Sequence, residues 1–238
     1  WNRLPLGVKP NHKIDVLEVT DLMRDHYEGT ALDMTNDVGA GPFHCTYRWR
    51  PMGFEVEGKE YVHERATSTQ QTGFSFVAQC RSWLPSRQGG VLWFGVDDTY
   101  SKVYCPMMCG LSQVPGCFKE GNGSMSQYSE TAAFWLFNRV SNFCYLRYDA
   151  MIPIVREVQQ ELEQDFVKRL AELDKSLAGM TDEAAVQKAL DRFSTKQADR
   201  MMSRWKALDQ FLLMKFIDGN VKRSEGQRLL TTETGKVL

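Results

Sequence analysis

Long apolar runs are what this chain most plainly lacks. Its longest nearly apolar stretch, Ala132 to Phe137, falls far short of the roughly 20 residues that a membrane-crossing helix needs. The first residues also lack a charged opening followed by an apolar core, so no signal peptide is expected within the chain. In a fragment such a signal would lie upstream, which leaves the compartment open between cytoplasm and periplasm or exterior. An excess of one charge is absent as well. The net charge is −1 and Lys and Arg are scattered, which excludes a surface-wide attraction for nucleic acid or anionic lipid. Neither nucleic acid nor membrane is expected as a partner.

Cysteine is present but sparse. Six cysteines in 238 residues are too few for a fold built on disulfides. Cys105, Cys109 and Cys117 lie close together, yet they lack the two-residue spacing and the following His of a zinc site. They read as small buried hydrophobes, with one disulfide left open if the protein is exported. Gly39 and Gly41 lack the lysine and helix start of a phosphate loop. No internal repeat or low-complexity segment is visible. No metal or organic cofactor is expected.

What is present has two characters, which meet near Ser129. Before it the pattern is strand and turn. Val16, Leu17, Val19 and Leu22 predict a short helix over Ile14 to Met23. Strands are predicted over Tyr61 to Thr69, Phe74 to Trp83, Val91 to Val96 and Val103 to Met108, with Pro85, Gly89 and Gly90 marking a hairpin connection. Gly110 to Gly123 reads as loop. After Ser129, which can cap a helix over Glu130 to Asp149, the pattern is helical. Pro153 is expected to kink that helix or start a new one. Val155, Val158, Leu162, Phe166, Leu170, Leu173 and Leu177 fall on one face of the next helix, which Gly179 ends. Thr181 opens another, carrying Val186, Leu190, Phe193, Met201, Trp205, Leu208, Leu212 and Phe216, with Gly219 as its C-cap. Two such helices make an antiparallel hairpin that packs on something larger; a coiled-coil dimer face is the other use of the stripe. Residues 221–238 read as a polar tail of coil or short strand.

Several residues can carry chemistry. In Arg24-Asp25-His26-Tyr27-Glu28 an arginine can hold a carboxylate, a histidine can move protons, and an aspartate can orient that histidine. The same residues can simply be a solvated helix end. Arg65 and Arg81 stand inside predicted strands, where an arginine needs a carboxylate, from the protein or from a ligand. A Cys-His dyad could draw on His12, His26, His44 or His63, but no cysteine has a nucleophile's context, and Cys80 and Cys144 read as core. Asn122-Gly123-Ser124 matches a glycosylation acceptor.

Ordered blocks of this chain resemble the dipeptidase A/secernin family of N-terminal-nucleophile cysteine dipeptidases. The blocks are Arg24 to Thr30, Asp33-Met34-Thr35, Ala40 to Phe43, Arg65 to Thr72, Arg81 to Pro85, Gly90 to Asp98, Gly121 to Gly123, Ala133 to Asn138 and Tyr145 to Tyr148. The likeness spans roughly residues 20 to 175, and its specificity lies in the order and spacing of the blocks. It implies an α+β chain, the C-terminal part of an αββα sandwich with a long antiparallel helical hairpin. The expected organisation is a strand-rich part over 1–128, long helices over 129–220 and a tail over 221–238. The resemblance implies hydrolysis of dipeptides to free amino acids. The nucleophile is a cysteine exposed as the first residue of the mature enzyme, with its own α-amino group as base. Trp1 stands where the family has that cysteine, and the Cys-Thr-Thr start has no counterpart here.

The expectation is therefore a C-terminal fragment with no catalytic residue of its own, inactive alone. Its partners would be dipeptides, the missing N-terminal half, and a second copy if it oligomerises. Substrate-carboxylate or oxyanion support is assigned first to Arg65, then to Arg24 and Arg81, with His26 and Asp25 shaping the pocket. A non-catalytic interaction or scaffold module that keeps a peptidase-like fold is the alternative.

Overall fold

The computed structural model describes residues 5–48, 53–62, 65–225 and 228–230. Trp1, His63 and most of the tail lie outside the described residues.

Helix α1 (Val16–Leu22) forms where the sequence predicts it. Asp15 and Glu18 close a reciprocal capping box: Glu18 N–H donates to Asp15 Oδ1 and Asp15 N–H to Glu18 Oε2. Strands β1 (Gly53–Val56) and β2 (Lys59–Val62) form a hairpin around Glu57 and Gly58, at φ 51° and 74°. That two-residue turn suits the right-handed twist of paired strands. The hairpin is exposed on both faces and replaces the early part of the strand expected over Tyr61 to Thr69; residues 65–69 are irregular.

The central sheet is antiparallel, in the order β3 (Phe74–Cys80), β4 (Gly90–Val96), β5 (Cys105–Met108). Its β3–β4 connection contains the short helix α2 (Ser86–Gly89), and Arg81 N–H donates to Gly89 O across its neck. Alternation sorts the side chains. On one face Val91, Trp93 and Met108 are buried, and Trp93 Nε1 donates to Gln79 Oε1. On the other, Phe74 and Phe76 of β3 remain 61 % and 50 % exposed beside half-buried Leu92 and Phe94. Phe74 stacks on Phe94, which meets Phe118 edge-on.

Three helices supply the rest of the core: α3 (Ala133–Leu146), α4 (Tyr148–Leu177) and α5 (Glu183–Phe216). Helix α3 starts at Ala133, later than the expected start at Glu130, because Ser129 Oγ donates to Asn122 Oδ1 and does not cap the helix. The break comes at Arg147 (φ −149°, ψ 64°), six residues before Pro153, which α4 accommodates in its interior. The α5 N-cap is Asp182, one residue beyond Thr181; its carboxylate accepts from Ala184 and Ala185 N–H. The stripes of α4 and α5 are buried inside one molecule, with Phe137 of α3 stacked on Trp205 at 4.5 Å. Each such side chain, fully buried, contributes about 1.5–3 kcal/mol. A short C-terminal hairpin, β6 (Arg223–Glu225) with β7 (Arg228–Leu230), follows.

The helices also close the sheet's far edge. Along β5 the odd residues face β4, and Cys109 N–H donates to Gly90 O. The even positions point outward. There Tyr104 N–H donates to Glu163 Oε1 of α4 and Met108 N–H to Ser194 Oγ of α5. Between them Pro106 has no N–H to satisfy. An open edge that would invite strand addition is thereby blocked.

Candidate active-site region

Where β4 ends, the chain turns sharply at Asp97, a non-glycine residue at φ 71°. Asp97 and Asp98 are both buried. Asp97 accepts from Asn138 Nδ2 at 2.7 Å and Ser141 Oγ at 2.5 Å, both on α3. Asp98 accepts from Tyr145 OH at 2.7 Å and from Tyr100 N–H. Burial raises the pKa of both carboxyls, that of Asp98 to about 6. Lys102, fully buried, donates from Nζ to Gly95 O and lies 5.4 Å from the Tyr104 ring centre. Burial lowers its pKa to about 7. Gly95 is required here: a Cβ would sit 2.7 Å from Val103 O.

Helix α4 holds this turn through its own polar side chains. Gln159 Nε2 donates to Tyr100 O and Lys102 O. Glu163 accepts both Arg24 nitrogens, Nη2 at 2.5 Å and Nη1 at 3.1 Å. Arg24 Nη2 also donates to Lys102 O. The guanidinium is 3 % exposed, so its charge is balanced from within the protein.

The sequence-predicted residues do not all converge. Arg24, Asp25 and His26 share one region. The His26 ring is buried edge-on to Tyr100, 4.9 Å between centres, and burial lowers its pKa. Its backbone N–H donates to Glu28 Oε2. Asp25 is half-buried, and its carbonyl accepts from Ser68 N–H. Arg65 is exposed, with no carboxylate partner among the described residues; its carbonyl accepts from Tyr27 OH. It lines a narrow crevice beside Arg48, whose buried guanidinium pairs with Asp37 at 2.6 Å. Arg81 is elsewhere. It donates to Asp174 Oδ2 at 2.6 Å and to Gln88 O. Glu163 and Asp174, the anchors of Arg24 and Arg81, lie on the same helix, about 16 Å apart along its axis. Arg24 and Arg81 are thus internal ion pairs that tie loops to α4.

Beside Arg24 and Asp25 opens a pocket of about 570 Å³, lined also by Glu28, Tyr100 and Arg156, by His12, Glu18 and Asp21, and by apolar Pro10, Ile14 and Leu22. Among the described residues, no three His, Cys, Asp or Glu side chains converge as a metal ion would require. The sequence reading missed Asp97, Asp98, Lys102 and Arg156. The Asp-Asp pair directly after an apolar strand was the available signal.

A small antiparallel sheet under long helices, with buried carboxylates at a strand end, defines an α+β protein of mixed layers. The model of peptidase family C69 matches residues 2–161, and the chain belongs to that family. The dipeptidase A resemblance read from the sequence is borne out at this level. A probable dipeptidase B from Streptococcus pyogenes serotype M1 is 22 % identical over 142 residues, covering 58 % of this chain and 27 % of the relative. A probable dipeptidase from Latilactobacillus sakei is 22 % identical over 182 residues, covering 76 % of this chain and 34 % of the relative. The chain thus spans about a third or less of these relatives' length.

Proposed function

We propose that this chain is the C-terminal portion of an αββα N-terminal-nucleophile cysteine dipeptidase, whose nucleophile lies in an upstream segment. The observation that carries the reading is membership of peptidase family C69 over residues 2–161.

Two structural features support the division of labour. The cysteines here are poorly suited to attack. Burial raises the thiol pKa of Cys45, Cys105, Cys117 and Cys144, that of Cys117 to about 12, and a thiol is a weaker nucleophile than its thiolate. Cys80 and Cys109 are exposed, and among the described residues no histidine is hydrogen-bonded to either. In addition, the uncovered apolar sheet face at Phe74, Phe76, Leu92 and Phe94 suits burial under a second sheet. In this reading Arg65 is the arginine left available to a substrate carboxylate, and His26 and Asp25 shape the adjoining pocket.

The test is dipeptide hydrolysis by this chain alone and after mixing with the upstream segment of its parent, each with and without iodoacetamide. The expected result is no turnover by the chain alone, and alkylation-sensitive turnover by the mixture. Alkylation-sensitive turnover by the chain alone would overturn the placement of the nucleophile. An inactive but stably associated mixture would overturn the peptidase reading in favour of a scaffold.

A further inference from the structure

We infer that Cys80 and Cys109 form a two-sulfur site for a soft monovalent cation, Cu(I), which bridges β3 and the end of β5 across Gly90. The site lies apart from the candidate active-site region and does not depend on the peptidase reading.

Sheet register brings the two cysteines together. Cys80 is the cross-strand partner of Gly90. Cys109 directly follows β5, and its N–H donates to Gly90 O, which extends the Val91–Met108 register by one pair. Residues directly opposite one another point to the same face of a sheet. The two side chains therefore flank Gly90 on one face, at the end of β3 opposite Phe74. Arg81 N–H donates to Gly89 O, so Cys80 and Gly90 form a non-hydrogen-bonded pair, about 4.5 Å between Cα atoms. Gly90 and Cys109 form a hydrogen-bonded pair, about 5.5 Å apart. The outer Cα atoms are thus about 10 Å apart, whereas a disulfide needs less than about 7 Å. Both thiols are free and exposed.

Gly90 opens the space between them. Its backbone, at φ −99° and ψ 128°, is ordinary extended strand, so no conformational need calls for glycine. The need is room. A Cβ on Gly90 would lie 3.0 Å from Cys109 Cβ and 3.1 Å from Cys109 Sγ. The Cys109 side chain thus takes the space that a side chain at 90 would fill, one strand from Cys80. Cys80 Cβ stands about 4.5–5.5 Å from that same point. Two metal–sulfur bonds of about 2.3 Å, set in line, span about 4.6 Å. Rotation of Cys80 about its Cα–Cβ bond carries its sulfur across that span.

The donor set selects the ion. Zinc takes four ligands, and among the described residues no three His, Cys, Asp or Glu side chains converge. Soft thiolates favour Cu(I), and this ion is satisfied by two of them in line. On binding, each thiol gives its proton to solvent. Two S–H bonds break, two Cu–S bonds form, no electron is transferred, and the bis-thiolate carries a single net negative charge.

The experiment is anaerobic titration of the reduced 238-residue chain with Cu(I), against bicinchoninate as a coloured competitor. The chain is expected to withdraw one Cu(I) from the competitor. Cys80→Ser and Cys109→Ser, both at exposed positions, should each weaken that binding about a hundredfold or more. Cys117→Ser should leave it unmoved. Gly90→Ala keeps both thiols but fills the gap, and should weaken binding about tenfold or more. Below the ordinary thiol pKa of about 8.5, affinity should climb about a hundredfold per pH unit, because two protons leave. No Cu(I) withdrawn by the unmodified chain would overturn the inference. So would binding unchanged in either serine variant, which would mean an adventitious ion only. Recovery of the site on mixing the two serine variants would place the ion between chains and overturn the bridge within one sheet. Undiminished binding by a folded Gly90→Ala chain would overturn the role of the gap.

Discussion

At the scale of single residues, the molecule depends on charges held out of water. Arg24 and Glu163 show why partners matter more than burial. Removing one member of a buried pair costs about 3–5 kcal/mol, because the other charge is left unpaired. Arg24→Ala is therefore expected to lower stability by that order, read from urea midpoints. Arg24→Met with Glu163→Gln should recover much of the loss, since glutamine still accepts from Tyr104 N–H. An equally unstable double variant would show that packing of the arginine stem, and not charge, dominates. Such pairs were illegible in the sequence: Arg24 and Glu163 stand 139 positions apart, Arg81 and Asp174 stand 93 apart. The type of partner was foreseeable from the scarcity of buried, unpaired arginines, but its position was not.

Asp98 and Lys102 make stability depend on pH. Between about 3.9, the ordinary aspartate value, and about 6 the folded chain keeps a proton that the unfolded chain has lost, so stability falls as pH rises. Between about 7 and the ordinary lysine value of about 10.4, the unfolded chain keeps the extra proton and stability rises. The contribution of this pair is lowest between those two limbs. His26, with a lowered pKa, acts in the same sense as Lys102 and against Asp98: its share is present above about 6.5 and is lost as pH falls. Comparison with Asp98→Asn and Lys102→Met separates the terms. The first should flatten the acidic limb and the second the alkaline limb, in denaturant midpoints measured across pH. The sequence reading gave these three charged residues no site role; α3 and α4 closing over them makes them a buried network.

At the scale of elements, periodicity was a good guide where one face is buried and the helix is long. The α4 and α5 stripes were read from residues such as Leu162, Phe166, Leu190 and Trp205, all of which lie in the core. The β1–β2 hairpin was missed although Phe54-Glu55-Val56-Glu57 alternates and Glu57-Gly58 offers a turn; with both strands exposed on both faces, that alternation marks no buried face. Helix starts shifted where a side chain had a better partner than the helix end, as Ser129 has in Asn122. Asp182→Ala should cost about 1 kcal/mol through loss of two accepted N–H bonds, whereas Thr181→Ala should leave the thermal midpoint almost unmoved. Trp205→Ala, which empties the space beneath Phe137, should cost about 3–5 kcal/mol, measured by denaturant titration.

At the scale of the whole molecule, the uncovered face of the central sheet governs behaviour in solution. Exposed aromatic surface on an edge strand favours association. The chain alone is expected to self-associate in light scattering, and Phe74→Thr with Phe76→Thr to return it to monomer with its secondary structure intact. A monodisperse unmodified chain would count against a second sheet as the natural cover.

The sealing of β5 has a consequence for how the chain is made. Met108 waits for a serine 86 positions later in the sequence, and bacterial to eukaryotic ribosomes add roughly 5–20 residues each second. For some 4–17 s on the ribosome the strand therefore has no lid over its outward amide at Met108. Pro106 is the one guard already in place during that interval, and it travels with the strand itself.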